Sequence, residues 1–197
     1  MQKIGITGGI GTGKTTICHI FETLGIPIYY ADIAAKAIMV EDEILVQKIK
    51  NLFGVEAYID SGVLNRSFIG NLVFKDNDLL AKLNAIVHPA LAIHYEKWHQ
   101  KQEKTPYTLK EAAILFEMGG HKNVDQVIVV AAPIDLRIER VMSRDKVTKE
   151  AVLDRIAKQM PEEEKLKLAD YIIHNDGRLG LIRQVMEVHS VLCDLRL

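Results

Sequence analysis

Eight residues near the start of the chain, GGIGTGKT from Gly8 to Thr15, have the composition and spacing of a phosphate-binding loop. In the pattern G-x-x-x-x-G-K-[ST], glycines allow successive backbone N–H groups to turn toward a phosphate. Lys14 can then reach the terminal phosphates, and the Thr15 hydroxyl can bind Mg²⁺. A short apolar run precedes the loop and an apolar-periodic stretch follows it, which predicts strand, loop and helix. This phosphate loop predicts a nucleoside triphosphate site, with a ligand-free glycine turn as the alternative.

Two carboxylates follow predicted strands, at the edge of a parallel sheet where ligands bind. Asp32 comes directly after the second strand, where it can accept a proton from an attacking hydroxyl. The alternative for Asp32 is an N-cap of a helix that begins at Ile33. Glu117 follows the third strand in AAILFEMGG, where it can help to hold Mg²⁺ through water or orient a substrate group. A solvated position at a helix entry is the alternative for Glu117.

Arginines are concentrated in the segment from about residue 137 to 165, called here the arginine segment. Arg137, Arg140 and Arg144 have spacings of three and four, which predicts one helical face. Because guanidinium groups suit phosphate oxygens, the segment predicts a helical lid that closes over the transferring phosphates. Solvated ion pairs with neighbouring carboxylates are the alternative for each arginine taken alone.

A second helix is predicted within the arginine segment over Ala151–Gln159. Thr148 is placed to cap its first turn, because a threonine hydroxyl can accept a hydrogen bond from a free backbone N–H there. Arg155 and Gln159 are four residues apart and are predicted to share a face of this helix.

Five strand-like runs, rich in β-branched and aromatic residues, alternate with helical periodicity. They are Lys3–Thr7, Pro27–Ala31, Tyr107–Phe116, Val127–Ala132 and Tyr171–His174. Such alternation predicts an α/β fold, a five-stranded parallel sheet with helices on both faces. Gly25 and Pro27 are predicted to end the first helix.

The stretch from about residue 33 to 102 has no strong strand signal and is predicted to be a helical insert that holds the acceptor. Its helices include Asp78–Val87 and Pro89–Gln102. His88-Pro89, between them, is predicted either to contact the acceptor or to form only a turn at the start of the second helix. No flexible linker divides the chain, so residues 1–197 are predicted to form a single domain.

Composition narrows the class of protein. The 197 residues are 48% hydrophobic, and 25 basic against 26 acidic side chains give a net charge of −1. This balance predicts small-molecule partners rather than nucleic acid or membrane. The chain begins Met-Gln-Lys before the first strand, and no apolar run approaches the roughly 20 residues of a membrane span, so a cytoplasmic protein is expected. Cys18 and Cys193 stand apart, and neither a disulfide nor a zinc site is expected.

Several segments, taken in order, resemble the dephospho-coenzyme A kinase family. They are GITGGIGTGKTT, the YAD-x-x-A stretch at 30–34, LNRSFIGNLVF, IVHP at 86–89, ILFE at 114–117, RVMSRD with RIAKQ, and ADYIIHN at 169–175. The resemblance implies a P-loop kinase that transfers the γ-phosphate of ATP to the ribose 3′-hydroxyl of dephospho-coenzyme A, with Mg²⁺, in the last step of coenzyme A synthesis. A monomer or weak homo-oligomer is expected.

The resemblance also implies roles for particular residues. Asp32 corresponds to the catalytic base, and Arg140 and Arg144 to arginines of the lid. Asn175 falls where the family contacts adenine, and His88 lies in the lobe that binds the coenzyme. Together with the loop pattern, the resemblance predicts that ATP is bound by Gly8, Gly9, Gly11, Thr12, Gly13, Lys14, Thr15 and Thr16.

The chain departs from the family pattern at three positions, and other functions share its loop. Tyr30 stands where the family commonly has aspartate, Ala113 where it has proline, and Arg137 where it often has glutamine.

A GTPase switch is disfavoured, because the chain contains neither N-K-x-D nor D-x-x-G. Another small-molecule kinase, acting on a nucleotide or a shikimate-type alcohol, is the nearest alternative, since one fold serves many acceptors.

Overall fold

The computed structural model describes residues 1–59 and 62–194. The chain forms two compact units, one made of residues 1–30 with those from 102 onward, and the other of residues 31–101. Among the described residues the helices are α1 Lys14–Thr23, α2 Ala31–Glu41, α3 Glu43–Phe53, α4 Arg66–Val73, α5 Asn77–Gln100, α6 Ile134–Asp145, α7 Lys149–Ala157, α8 Glu162–Lys167 and α9 Leu181–Asp194.

The first unit contains a five-stranded parallel sheet in the order β2-β3-β1-β4-β5. Its strands are β1 Gln2–Thr7, β2 Ile28–Tyr30, β3 Tyr107–Glu111, β4 Gln126–Ala131 and β5 Tyr171–His174. The predicted five-stranded parallel sheet is therefore confirmed. Because β1 lies in the centre, the phosphate loop that follows it begins in the middle of the carboxyl edge, where such sheets bind ligands.

Helices α1 and α9 contribute to a hydrophobic core on one face of the sheet. Ile17 and Phe21 of α1 and Val185 of α9 are completely buried against strand residues such as Ile4 and Ile128. Helix α8 packs against β4. A β-carbon on Gly5 would meet side chains of the segment that follows β3. Since a parallel strand buried on both sides must be apolar throughout, this arrangement explains the continuous apolar run of β4.

Strand β3 is shorter than its sequence predicts. It ends at Glu111, whereas the apolar run continues to Phe116. Glu111 pairs with Ile6 on one side and with Tyr30, the last residue of β2, on the other. Beyond that point Leu115 and Phe116 are buried in turns, and the Gly120 N–H bonds to the Leu115 carbonyl. Pairing with the neighbouring strands, which local composition does not encode, sets the end of β3.

The predicted end of the first helix is confirmed. Helix α1 stops at Thr23, and Gly25 has a φ of 79°, in the left-handed region. The Ile26 N–H reaches back to the carbonyl of Phe21 at 3.1 Å, the six-to-one bond of a glycine-terminated helix.

The second unit has a helical core of its own, and α5 corrects the sequence prediction. Buried residues of α3 and α5, among them Leu45, Ile49 and Leu83, form this core. The expected break at His88-Pro89 is absent, because α5 runs without interruption and contains Pro89. Apolar residues on both sides of the proline pack into the same core. This packing outweighs the backbone hydrogen bond that proline removes. Nowhere in residues 1–59 or 62–194 is a helix both long and apolar enough to cross a membrane.

Candidate active site

The phosphate loop joins β1 to α1 and depends on its glycines. Gly11 and Gly13 have φ values of 81° and 88°, a region that residues with a β-carbon rarely adopt. A β-carbon on Gly11 would lie 2.5 Å from the backbone oxygen of Arg137, and one on Gly13 would overlap the Asn175 amide. Glycine is thus required by conformation and by space. The N-terminus of α1 follows directly, which favours anion binding.

Lys14, the first residue of α1, lies across the loop. Its Nζ donates to the carbonyl of Gly8 at 2.8 Å and contacts that of Gly9 at 3.4 Å. A lysine folded over this loop is in position to reach a terminal phosphate. The loop is closed internally, since the Thr12 N–H and hydroxyl both donate to the Gly9 carbonyl, at 3.2 Å and 2.9 Å.

Asn175 and Arg140 are brought together against the same loop. The buried Asn175 follows β5, and its Nδ2 donates to the Thr12 carbonyl at 2.8 Å. The Arg140 guanidinium donates to the Asn175 carbonyl at 3.2 Å and to its Oδ1 at 3.3 Å. The backbone N–H of Asn175 extends the sheet by bonding to Ala131. Asn175 and Arg140, which were predicted from separate motifs, therefore form one cluster beside the phosphate loop.

Arg137 has a different environment from that expected of an exposed lid arginine. It is 5% exposed, donates from Nε to the Ile10 carbonyl at 3.0 Å, and pairs with Glu162 at 3.0 Å. Gln159 accepts a hydrogen bond from the Ile10 N–H at 2.8 Å. Helix α7 ends at Ala157, so Gln159 does not share a helical face with Arg155 as predicted.

The outer part of the arginine segment is a solvated ion cluster. Arg144, whose side chain is 65% exposed, pairs with Asp145 at 2.7 Å, and Arg155 pairs with the other oxygen of Asp145 at 2.7 Å. Hydrogen bonds from Arg144, and then from Arg155, lower the pKa of Asp145. Thr148 caps α7 by accepting a hydrogen bond from the Ala151 N–H, as predicted. These exposed pairs hold Arg144 only weakly, so it can exchange partners.

Glu117 lies in a structural ion pair. Its Oε1 is 2.7 Å from Nζ of Lys165, a side chain only 1% exposed, and accepts a hydrogen bond from the Met160 N–H at 2.9 Å. Burial raises the pKa of the Glu117 carboxyl, but the Lys165 and backbone hydrogen bonds outweigh it, so the net pKa is lowered. The contacts connect the segment after β3 to the C-terminal end of the arginine segment.

Glu111 is a candidate that the sequence analysis did not single out. As the last residue of β3, it lies at the carboxyl edge of the strand next to β1. Burial raises the pKa of two neighbours, Cys18 in α1 and Tyr30, and the charge of Glu111 adds to both shifts. The predicted extension of β3 to Phe116 had placed this edge at Glu117. A carboxylate ending the run YTLKE was the signal available in the sequence.

The two remaining predicted residues belong to the second unit. Asp32 follows β2 by two residues and lies in the first turn of α2, which begins at Ala31, so it is not the N-cap of a helix starting at Ile33. His88 lies within α5, directly before Pro89, and is half-buried.

A parallel sheet with β1 at its centre, a glycine loop leading into a helix and a lysine folded over that loop define a P-loop nucleotide-binding protein. Comparison with known proteins names the family. The model of the dephospho-CoA kinase family matches residues 2–180, and the chain belongs to that family.

Two proteins named dephospho-CoA kinase and one further solved structure are similar to this chain over nearly its whole length. A dephospho-CoA kinase from Bacteroides fragilis is 36% identical over 190 residues, covering 96% of this chain and 92% of that protein. The crystal structure of TT1252 from Thermus thermophilus has a TM-score of 0.85 at 34% identity, covering 98% and 97% of the two chains. A dephospho-CoA kinase structure from Campylobacter jejuni has a TM-score of 0.73 at 28% identity, covering 99% and 98%.

Proposed function

We propose that this chain transfers the γ-phosphate of ATP to the 3′-hydroxyl of the ribose of dephospho-coenzyme A, giving coenzyme A and ADP. One observation carries the proposal: a phosphate loop with Lys14 folded across it, in a chain of the dephospho-CoA kinase family. Because phosphoryl transfer needs little covalent work from the protein, its residues act by positioning the reactants and by stabilising charge.

The loop suits the triphosphate, and two oxygen-bearing residues of the same unit suit a metal ion. Glycines whose β-carbons would collide with their surroundings line the loop, and the positive end of α1 faces it. We assign Mg²⁺ to the Thr15 hydroxyl and the Glu111 carboxylate, since Mg²⁺ prefers hard oxygen ligands. A Mg²⁺ ion held by these residues would offset the negative charge of the triphosphate. Mg²⁺ is not assigned to Glu117, because Lys165 pairs with its Oε1 and its Oε2 is buried.

The remaining residues have the following proposed roles. Asp32 accepts the proton of the attacking 3′-hydroxyl. Arg144 leaves its exposed pair with Asp145 and meets the transferring phosphoryl group, which Arg140 approaches from beside the loop. Asn175 contacts the adenine of ATP. The helical unit of residues 31–101, with His88, holds the coenzyme acceptor.

We further propose that the protein works in the cytoplasm as a monomer or weak homo-oligomer on this small molecule. Its net charge of −1 supports a small-molecule partner over nucleic acid or a membrane surface.

The test is ADP release measured with a panel of acceptors: dephospho-coenzyme A, AMP and shikimate. Only dephospho-coenzyme A should give ADP in proportion to acceptor, and phosphorus NMR of the product should show a 3′-phosphomonoester. Lys14→Ala is the control, expected to lose transfer while keeping the wild-type circular dichroism spectrum. Faster turnover of AMP or shikimate than of dephospho-coenzyme A would show that the proposed acceptor is wrong. Full activity of Lys14→Ala would show that the proposed phosphate site is wrong.

A further inference from the structure

The backbone of Ile10, in the middle of the phosphate loop, is held on both sides by distant side chains. Gln159 Oε1 accepts its N–H at 2.8 Å, and Arg137 Nε donates to its carbonyl at 3.0 Å. Arg137 is buried, and its charge is balanced by Glu162 at 3.0 Å. A buried guanidinium is costly unless it is paired and hydrogen-bonded, so the Ile10 carbonyl is one of the contacts that keep Arg137 in place.

These two contacts fix the orientation of the peptide groups on either side of Ile10: Gln159 fixes the Gly9–Ile10 peptide and Arg137 fixes the Ile10–Gly11 peptide. In a planar trans peptide the C=O and the following N–H point in opposite directions. Turning the Ile10 carbonyl toward Arg137 therefore turns the Gly11 N–H away from Arg137. The Asn175 amide fixes the Gly13 N–H in the same manner, by donating to the Thr12 carbonyl. The Ile10 and Thr12 carbonyls are thus drawn to protein donors, which turns the Gly11 and Gly13 N–H groups away from those donors.

Such restraint is needed because glycines flank Ile10. Gly9 and Gly11 rotate more freely than other residues, so a free loop would sample orientations in which carbonyls face the phosphate. A protein whose binding-competent conformation is only partly populated binds its ligand more weakly by that fraction. Holding the Ile10 peptide groups keeps the loop in one orientation before the nucleotide arrives, and so removes this loss of affinity.

The backbone next to Gln159 is bonded to Glu117, a residue of the segment that follows β3. Gln159 lies beyond the end of α7, and the N–H of the next residue, Met160, donates to Glu117 at 2.9 Å. Glu117 in turn pairs with the buried Lys165. The position of Gln159 is therefore set by a buried ion pair in addition to the helix that precedes it.

We propose that Gln159 and Arg137 are positioning residues that hold the phosphate loop in its anion-binding conformation in the absence of nucleotide. Neither residue need touch ATP, because both act through the Ile10 backbone. The inference rests on the proposed function for the identity of the nucleotide, whereas its mechanism concerns the loop alone.

The experiment measures ADP affinity by calorimetry in Gln159→Met, which keeps the side-chain length but loses the acceptor oxygen. The dissociation constant for ADP and the KM for ATP should rise about three- to tenfold, as expected for one lost hydrogen bond. The kcat and the KM for the acceptor should stay within about twofold, since the nucleotide-bound loop is the same. Glu163→Met, an exposed position four residues further on, is the matched control and should bind ADP normally.

Gln159→Glu keeps an acceptor for the Ile10 N–H and should restore most of the lost affinity. ADP binding by Gln159→Met at the wild-type level would overturn the proposal. So would a Gln159→Glu variant that binds no more tightly than Gln159→Met, or a fall in Tm without any change in ADP affinity. If the wild type failed to phosphorylate dephospho-coenzyme A, the proposed function would fail, but the ADP titrations would still decide the role of Gln159.

Discussion

The substitution Lys165→Met tests whether the ion pair between Lys165 and Glu117 stabilises the folded protein. The substitution nearly preserves side-chain volume but removes the cation 2.7 Å from Glu117 Oε1, at a position where Lys165 is only 1% exposed. Breaking a buried ion pair from one side costs about 3–5 kcal/mol, because the other charge stays buried. Since the Glu117 side chain is 18% exposed and keeps its bond from Met160, we expect the lower end, about 3 kcal/mol. That is about two decades in the unfolding equilibrium.

The assay is urea unfolding followed by circular dichroism. Lys167→Met changes an exposed lysine of the same helix and should alter the free energy of unfolding by less than about 0.5 kcal/mol. The double variant Glu117→Leu with Lys165→Met removes both charges and should recover most of the loss. A loss below about 1 kcal/mol for Lys165→Met alone would refute the structural role of the pair.

The pH dependence gives an independent check on the same pair. The pKa of Glu117 lies below its ordinary value of 4.5, because the hydrogen bonds from Lys165 and the backbone outweigh burial. A carboxyl with a lowered pKa in the folded state contributes stability above its unfolded pKa and loses that contribution as the pH falls through its folded pKa. The unfolding free energy of the wild type should therefore fall more steeply below pH 4.5 than that of the double variant. Equal slopes would contradict this account.

Three further predictions concern the reaction itself. Asp32→Asn should lower turnover by roughly 10²–10⁴ while calorimetry shows unchanged ATP affinity, and a parallel loss of affinity would exclude the role of base. Arg144→Ala should lower kcat with little change in ADP affinity. Arg140→Ala should lower kcat and also weaken ADP binding, because Arg140 contacts Asn175 beside the phosphate loop. If the two variants had the same effect on ADP affinity, this distinction would be refuted. Glu111→Gln should raise the Mg²⁺ concentration for half-maximal activity by about tenfold, and an unchanged Mg²⁺ titration would leave the metal assignment without support.

Local patterns predicted the architecture well. The five strands, the glycine that follows α1 and the Thr148 cap each depend on residues within a few positions of one another, so composition and spacing identify them. Element boundaries that depend on distant partners were predicted less well. Strand β3 ends at Glu111 where its pairing with β1 and β2 ends, and α5 passes through Pro89 because residues on both sides share one core.

The sequence by itself determined the chemistry of the loop, because the spacing from Gly8 to Thr15 leaves few other uses for those residues. Only the tertiary structure decided which polar residues support that loop and which support the fold. Gln159 and Ile10 are 149 residues apart, and Met160 and Glu117 are 43 apart. No local pattern encodes contacts of that range, since they arise when distant segments pack against the same sheet edge. For the same reason, a carboxylate that pairs with a buried lysine, as Glu117 does, looks identical in sequence to one that could hold a metal.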